Sequence, residues 1–395
     1  MIELFFLLLP VAAASGWWLA RRDIRRKINV LPAAHPDFLR GLNYLLEEQP
    51  DKAIDLFLRL TEVDSETAET HLALGSLFRR RGEVDRAIRI HQNLVERRHL
   101  SPELRGFALF ELGQDYMGAG LLDRAETLFQ ELVTLGLHSQ RALQALREIY
   151  QREREWGRCL EVAAQLETLT GQKMPVEIAH YHCELAEEAR RRQDTAGARV
   201  QLSQARRIQC DCVRATMLEG FMALEDNDAE QAVALFERVV ERGATYVPEV
   251  LPALIESIER LGEDVVVHLE TLAAGQASPH LMLALGERVE QTRGPEAALD
   301  LLADYLARWA DLAVLERFLD LRARGPDPDG RAHRYARVAL GVARHLLQRQ
   351  SVYHCEHCGF QARALHWQCP SCRSWGTVVA VLPDPIQGDG ARSLV

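Results

Sequence analysis

The chain has 395 residues, 47% of them hydrophobic, with a formal net charge of −10. That length exceeds one hydrophobic core and implies several units or a repeat array, and the apolar content excludes global disorder. The acidic balance argues against a general nucleic-acid binder.

From Leu4 to Ala20 run 17 consecutive uncharged, mostly apolar residues. As a helix they span about 26 Å, enough for a bilayer core. Trp17 and Trp18 fall at the inner end, and Arg21, Arg22, Arg25, Arg26 and Lys27 follow. Positive charge on that side keeps the body of the chain in the cytoplasm. A cleaved signal peptide, suggested by Ala12-Ala13-Ala14, would place its basic residues before the apolar run and not after it. The expected order is therefore a transmembrane anchor over 1–20 and a basic juxtamembrane linker over 21–36, with Pro32 and Pro36 in the linker.

A small residue then recurs twelve positions before an alanine, with a bulky residue four positions after that alanine. The instances are Gly41-Ala53-Phe57, Gly75-Ala87-His91, Gly113-Ala125-Phe129, Ala186-Ala198-Leu202 and Gly220-Ala232-Phe236, with a weaker Arg147-Cys159-Ala163 between. Successive first members are 34, 38, 34, 39 and 34 residues apart. A period near 34 with paired helices is the tetratricopeptide signature. The small residue is where the two helices of a unit cross, and no unit buries its own face without a neighbour. Leu254 with Val266, Gly286 with Ala298, and Asp320 with Ala332 continue the register in weaker form, giving about nine units over 37–350. Arg147 stands where a small residue is wanted, so distortion is expected there.

The first helices of such units line a concave face. Arg79, Arg80, Arg152, Arg190 and Arg191 fall on that stripe and form a candidate groove for an acidic segment. The same arginines also read as a solvated helix face. His180, His182, Cys183, Cys210 and Cys212 do not make a second metal site by spacing, and buried structural thiols account for these cysteines. No nucleophile elbow, phosphate loop or metalloprotease helix occurs, so an enzyme is not expected.

The C-terminal part carries the sharpest chemistry. Cys355-x-x-Cys358 and Cys369-x-x-Cys372 are separated by ten residues. Two such knuckles are the ligand pattern of a four-thiolate site, and four thiolates on a tetrahedral ion leave no open position. Gly359 suits a tight turn and Pro370 stiffens the other. Structural zinc is the expected ion, although a four-cysteine site of this kind also holds iron and would then carry electrons. The metal-binding module is placed at 351–382 and a flexible tail at 383–395. Thiolate ligands favour the reducing cytosol. A homodimer is compatible with these features.

Anchor, helical array and metal module, in this order, resemble the lipopolysaccharide assembly protein B family of Gram-negative bacteria over the whole chain. The stretches that carry the resemblance are Leu7-Leu8-Leu9-Pro10-Val11-Ala12-Ala13-Ala14, the segment from Gly82 to Gln92, Val176-Glu177-Ile178-Ala179-His180, and Trp367-Gln368-Cys369-Pro370-Ser371-Cys372. The resemblance implies an all-α protein with a transmembrane helix, a tetratricopeptide-repeat array and a small rubredoxin-like zinc ribbon. It implies an inner-membrane adaptor that promotes proteolysis of the deacetylase committing carbon to lipid A, the protease being a membrane AAA+ enzyme. It further implies an antagonist, an inner-membrane regulator that senses lipopolysaccharide. A scaffold for lipopolysaccharide assembly or transport proteins is the alternative role.

Overall fold

A computed structural model describes residues 65–97, 100–274, 278–325 and 330–386, together with Arg40, Tyr44, Lys52 and Leu56. The expected anchor and linker, and the first unit's Gly41, Ala53 and Phe57, lie outside the described residues. Among the described residues no helix is long and apolar enough to cross a membrane.

Sixteen α-helices follow one another as eight pairs among the described residues. They are α1 Ser65–Arg80 with α2 Val84–Val95, α3 Pro102–Gly118 with α4 Leu122–Thr134, α5 Ser139–Glu153 with α6 Trp156–Thr170, and α7 Pro175–Arg191 with α8 Thr195–Ile208. Then come α9 Val213–Glu225 with α10 Ala229–Glu241, α11 Val247–Leu261 with α12 Val265–Ala274, α13 Pro279–Arg293 with α14 Pro295–Leu306, and α15 Leu312–Arg324 with α16 Arg331–Leu347. The chain divides into two compact units. Of the described residues, one takes in those up to Arg154 with Thr168–Thr170, the other Glu155–Glu167 and those from Gly171. The division falls inside the pair that holds Arg147, yet α5 itself runs through Arg147 unbroken.

The crossing rule holds at atomic detail. A Cβ built on Gly75 would stand 2.3 Å from His91, one on Gly113 2.7 Å from Phe129, and one on Gly220 2.6 Å from Phe236. At Gly286 the neighbour is Leu302 at 3.2 Å. Each bulky residue sits sixteen positions after the glycine and fills the space that a side chain would take. The intervening Ala87, Ala125, Ala198, Ala232 and Ala298 are fully buried. Helix ends are closed by local means. Ser101, Asp194, Asp228, Ser278 and Asp311 accept from backbone amides as N-caps, satisfying donors that a first turn leaves unpaired.

The last pair departs from the expected register. Ala332 is exposed, and the buried alanines of α16 are Ala336, one turn on, and Ala343. The reason lies at the partner position, where Asp320 is no small residue. Its carboxylate accepts from Arg317, Arg324 and Arg344, so the helices meet through ions there.

His91 is the odd member of the bulky set. Its Nδ1 bonds the fully buried Asp115 carboxylate of α3, and its Nε2 bonds the Leu72 carbonyl. Asp115 also takes a bond from Arg79, which reaches Glu111 as well. Burial pushes the Glu111 carboxyl up, but the Arg79 guanidinium overrides this and holds it below the usual carboxylate range.

Placing a methyl at the Gly113 crossing forces the Phe129 ring to move, so Gly113→Ala should cost about 1–3 kcal/mol. Gly157, in the first turn of α6, has nothing within 4 Å of its built Cβ. Gly157→Ala should be neutral or stabilising by up to about 1 kcal/mol. Urea unfolding of the two variants checks the contrast, and equal midpoints would contradict the crossing rule.

Candidate metal centre

After α16 the chain enters a small three-stranded antiparallel sheet. Strand β2, Tyr353–Cys355, lies between β3, Gln361–Ala362, and β4, Val378–Ala380. Alternation puts Tyr353 and Cys355 inward on β2, and Val378 and Ala380 inward on β4, while His354 and Val379 are only partly covered.

Two knuckles of the same form rise from this sheet. In the first, the Cys355 amide donates to the Phe360 carbonyl and the Gly359 amide donates back to the Cys355 carbonyl. In the second, the Cys369 amide donates to the Ser374 carbonyl and the Arg373 amide to the Cys369 carbonyl. The turn requires a left-handed residue four positions after its first cysteine. Gly359 takes it at φ +75° without cost, and Arg373 takes it at φ +59°. Nothing in the spacing of the cysteines announces the strained arginine. Its equivalence to Gly359 is the signal that an overlay of the two knuckles gives.

The four sulfurs converge. All lie within 4.8 Å of one another, with Cys355 and Cys372 3.7 Å apart and Cys358 and Cys369 3.6 Å apart. A tetrahedron with metal–sulfur bonds of about 2.3 Å has edges of about 3.8 Å, so the set fits one ion. It is the one such group among the described residues. The electrostatics favour the thiolate at Cys355 and Cys372 but not at Cys369. A bond from the Thr377 hydroxyl, with the amides of Cys358 and His357, outweighs burial and holds Cys355 down to about 6. Burial pushes Cys369 up to about 11, so this thiol gives up its proton to a metal and not to water. An ion held here ties two turns together and offers no open position for catalysis.

The module is seated on the helices. The Trp375 ring stacks on His180 of α7 at 5.0 Å between centroids and meets Trp156 and Tyr181 edge-on at 6.0 and 5.9 Å. Trp367 stacks on Tyr246 at 5.7 Å, and the guanidinium of Arg214 lies 5.5 Å from its centroid. Arg214 is buried and anchored by Glu184 at 2.8 Å and Glu187 at 2.7 Å. The backbone closes the seat. Ala380 donates to the Thr245 hydroxyl, and β5, Asp384–Pro385, pairs with β1, Trp309–Ala310. The segment expected to be a flexible tail from 383 is thus a strand at 384–385, because β1 supplies its backbone partners; 387–395 lie outside the described residues. Sequence reasoning missed this aromatic seat, since its members are non-local and each alone looks like core.

The five arginines of the expected groove fall in both compact units. Arg79 is turned into the Glu111–Asp115 network, Arg152 pairs with Glu148, and Arg190 pairs with Glu225. Arg288 with Glu259 and Arg317 with Glu290 repeat the theme, bracing one first helix against the next. Arg79, Arg190, Arg288 and Arg317 serve the stack, whereas Arg152 pairs within its own helix. Arg80 and Arg191 are exposed and make no ion pair among the described residues.

A family profile described as a rubredoxin metal binding domain matches residues 353–380, and a tetratricopeptide repeat profile matches 70–103. The chain is 37% identical over 391 residues to the lipopolysaccharide assembly protein B of Escherichia coli K12, covering 98% of this chain and 99% of that one. It is 34% identical over 392 residues to the protein of that name from Haemophilus influenzae, covering 96% and 98%. Among solved structures it is similar to MamA (21% identity, 42% of this chain and 92% of that one, TM-score 0.29). It is also similar to a tetratricopeptide repeat protein from Parabacteroides merdae (13% identity, 65% and 99%, TM-score 0.34).

The second knuckle and its seat each generate a measurable outcome. Arg373→Gly removes a left-handed arginine and should stabilise the metal module by roughly 1 kcal/mol. Competition with a chelator reads this directly, and a variant that loses metal more readily would contradict it. His180 gives a pH dependence. Burial, with the positive charge of Arg214, holds its pKa down to about 3 from 6.5. Between those values the unfolded chain binds a proton that the native chain refuses, so stability falls on acidification. The contribution is full above about pH 6.5 and is lost toward pH 3. His180→Phe keeps a ring against Trp375 and should lose less thermal stability than wild type between pH 7 and pH 5. Parallel losses would show that His180 is not the titrating group.

Proposed function

Because this chain belongs to the lipopolysaccharide assembly protein B family, we propose that it is a non-enzymatic adaptor of the inner membrane. In this reading it restrains lipopolysaccharide synthesis by presenting the lipid A-committing deacetylase to a membrane AAA+ protease. The observation that carries the reading is similarity to that family over 98% of the chain, beside the matches to a tetratricopeptide repeat and a rubredoxin metal binding domain. The name shared by the relatives concerns lipopolysaccharide assembly.

The physical features support a binding role. Stacked helical pairs offer extended surfaces for protein segments. A closed four-thiolate centre has no position for substrate, and zinc is the ion that supplies only structure. The apolar run 1–20 tethers the chain with its body in the cytoplasm, and this raises the effective concentration of a bound client beside a membrane protease. A lipopolysaccharide-sensing regulator acts on the anchor. Arg80 and Arg191, the uncommitted members of the stripe, are the residues offered to an acidic client segment.

The test is a chase of deacetylase level after protein synthesis is blocked, in cells with and without this protein. The expected result is a several-fold longer deacetylase lifetime in its absence, with an unchanged turnover number. Equal decay curves would remove the adaptor role and leave the scaffold for lipopolysaccharide assembly. Elemental analysis separates both from an electron carrier: one zinc in a colourless protein is expected, whereas visible thiolate-to-iron absorption marks the carrier.

A further inference from the structure

Outside the metal centre two more sulfurs face each other. Cys183 lies on α7 and Cys212 is the N-cap of α9; both are buried, and their Sγ atoms are 3.9 Å apart. They share a core with several alanines, Ala179, Ala186, Ala205 and Ala215 among them, and with Leu202, Leu218 and Met222. A bonded pair needs about 2.05 Å, so side-chain rotation has to close just under about 2 Å. The turn that leads into Cys212 is at the surface, with Cys210 exposed two residues earlier.

The two thiols are not equivalent. The bond from Cys183, against the effect of burial, and then the Ala215 amide and the positive charge of Arg214, hold Cys212 down to about 7. Cys183 is pushed up by donating to Cys212 and by burial. A helix N-terminus and an adjacent cation are the surroundings that make a thiolate a nucleophile. Its neighbour is already in place to resolve what that nucleophile forms.

We propose that Cys183 and Cys212 are a reversible modification site, a dithiol that hydroperoxides oxidise to a disulfide joining α7 to α9. The Cys212 thiolate attacks one peroxide oxygen, the O–O bond breaks, and hydroxide leaves to take up a proton as water. Cys212 is then a sulfenic acid. Cys183 loses its proton and attacks the Cys212 sulfur; the S–O bond breaks and a second water leaves. Two sulfurs together lose two electrons and hydrogen peroxide gains two. Small-molecule dithiols return the pair to thiols by exchange. The site lies beneath the metal module's seat, because α7 carries His180 and Tyr181 and α9 carries Arg214. The redox state of the pair therefore acts on the helices that hold Trp367 and Trp375.

The experiment exposes the full-length, metal-loaded chain to hydrogen peroxide, blocks remaining thiols by alkylation, and maps linked peptides by mass spectrometry. A peptide joining Cys183 to Cys212 is expected, exceeding any pairing of Cys210 or Cys159 by about tenfold, because among the four cysteines outside the metal centre only this pair has a thiolate beside its resolving thiol. Dithiothreitol should remove it, Cys210→Ala should leave it unchanged, and bound metal should be retained as it forms. A dominant Cys210–Cys212 link, metal loss before any link appears, or full alkylation of Cys183 and Cys212 would each overturn the proposal. The map of the wild-type chain decides the matter even where Cys183→Ala or Cys212→Ala fails to fold.

Discussion

The closeness of two helices at a point without a side chain governs this molecule. Gly75, Gly113, Gly220 and Gly286 let the second helix of each pair approach until its bulky residue covers bare backbone. The gain is dispersion and burial at a contact that a methyl group would prevent. Because each of these pairs is tight, its remaining apolar surface is left for a neighbouring pair of the same unit, and burial within a unit proceeds by stacking. Where the small residue is absent, as at Asp320, ions replace the contact and the buried alanine moves by one turn.

Within the larger unit the metal module adds a different kind of cohesion. Four thiols hold two loops that have a small core of their own, in which Tyr353, Val378 and Ala380 are buried and Phe360, Ala362 and Leu365 pack against them. Such a module depends on its ion for folding. Its two tryptophans then insert between aromatic and cationic side chains of α7 and α9 and the segment before α11. Aromatic stacking of this kind adds roughly 0.5–1.5 kcal/mol per pair beyond burial. The neutral state of His180 belongs to this arrangement, since a charged imidazole beside Arg214 and under an indole would have neither water nor a counter-ion.

Much of this was legible in the sequence because it is periodic or local. The repeat register predicted the crossings from Gly75 to Gly286, and the spacing of Cys355, Cys358, Cys369 and Cys372 predicted the convergence of four sulfurs. What stayed hidden is what joins distant positions. Arg79 looked like part of a groove because the pattern gives its helix face but not its partner, Glu111, on the next first helix. Arg190 and Glu225 pair for the same reason. The seat of Trp375 on His180 and the strand at Asp384–Pro385 have no sequence period. Arg373 hides its left-handed backbone because an arginine carries no mark of it, whereas Gly359 does.

The strand formed by Asp384 and Pro385 has a consequence for how the chain matures. The module's bonds to the helices join residues as far apart as Tyr353 and Glu249, or Ala380 and Thr245, separated by 104 and 135 positions. Contacts of such long range form late, after loops between them have been closed. Helical pairs can settle one after another as they leave the ribosome, but the seat at His180 and Arg214 waits for Trp367 and Trp375 to be made. A chain that ends early, or that has not acquired its metal, therefore keeps His180, Tyr181 and Tyr246 uncovered. Such a surface is one that chaperones and proteases recognise, so the metal module acts as a cover for the helices it sits on.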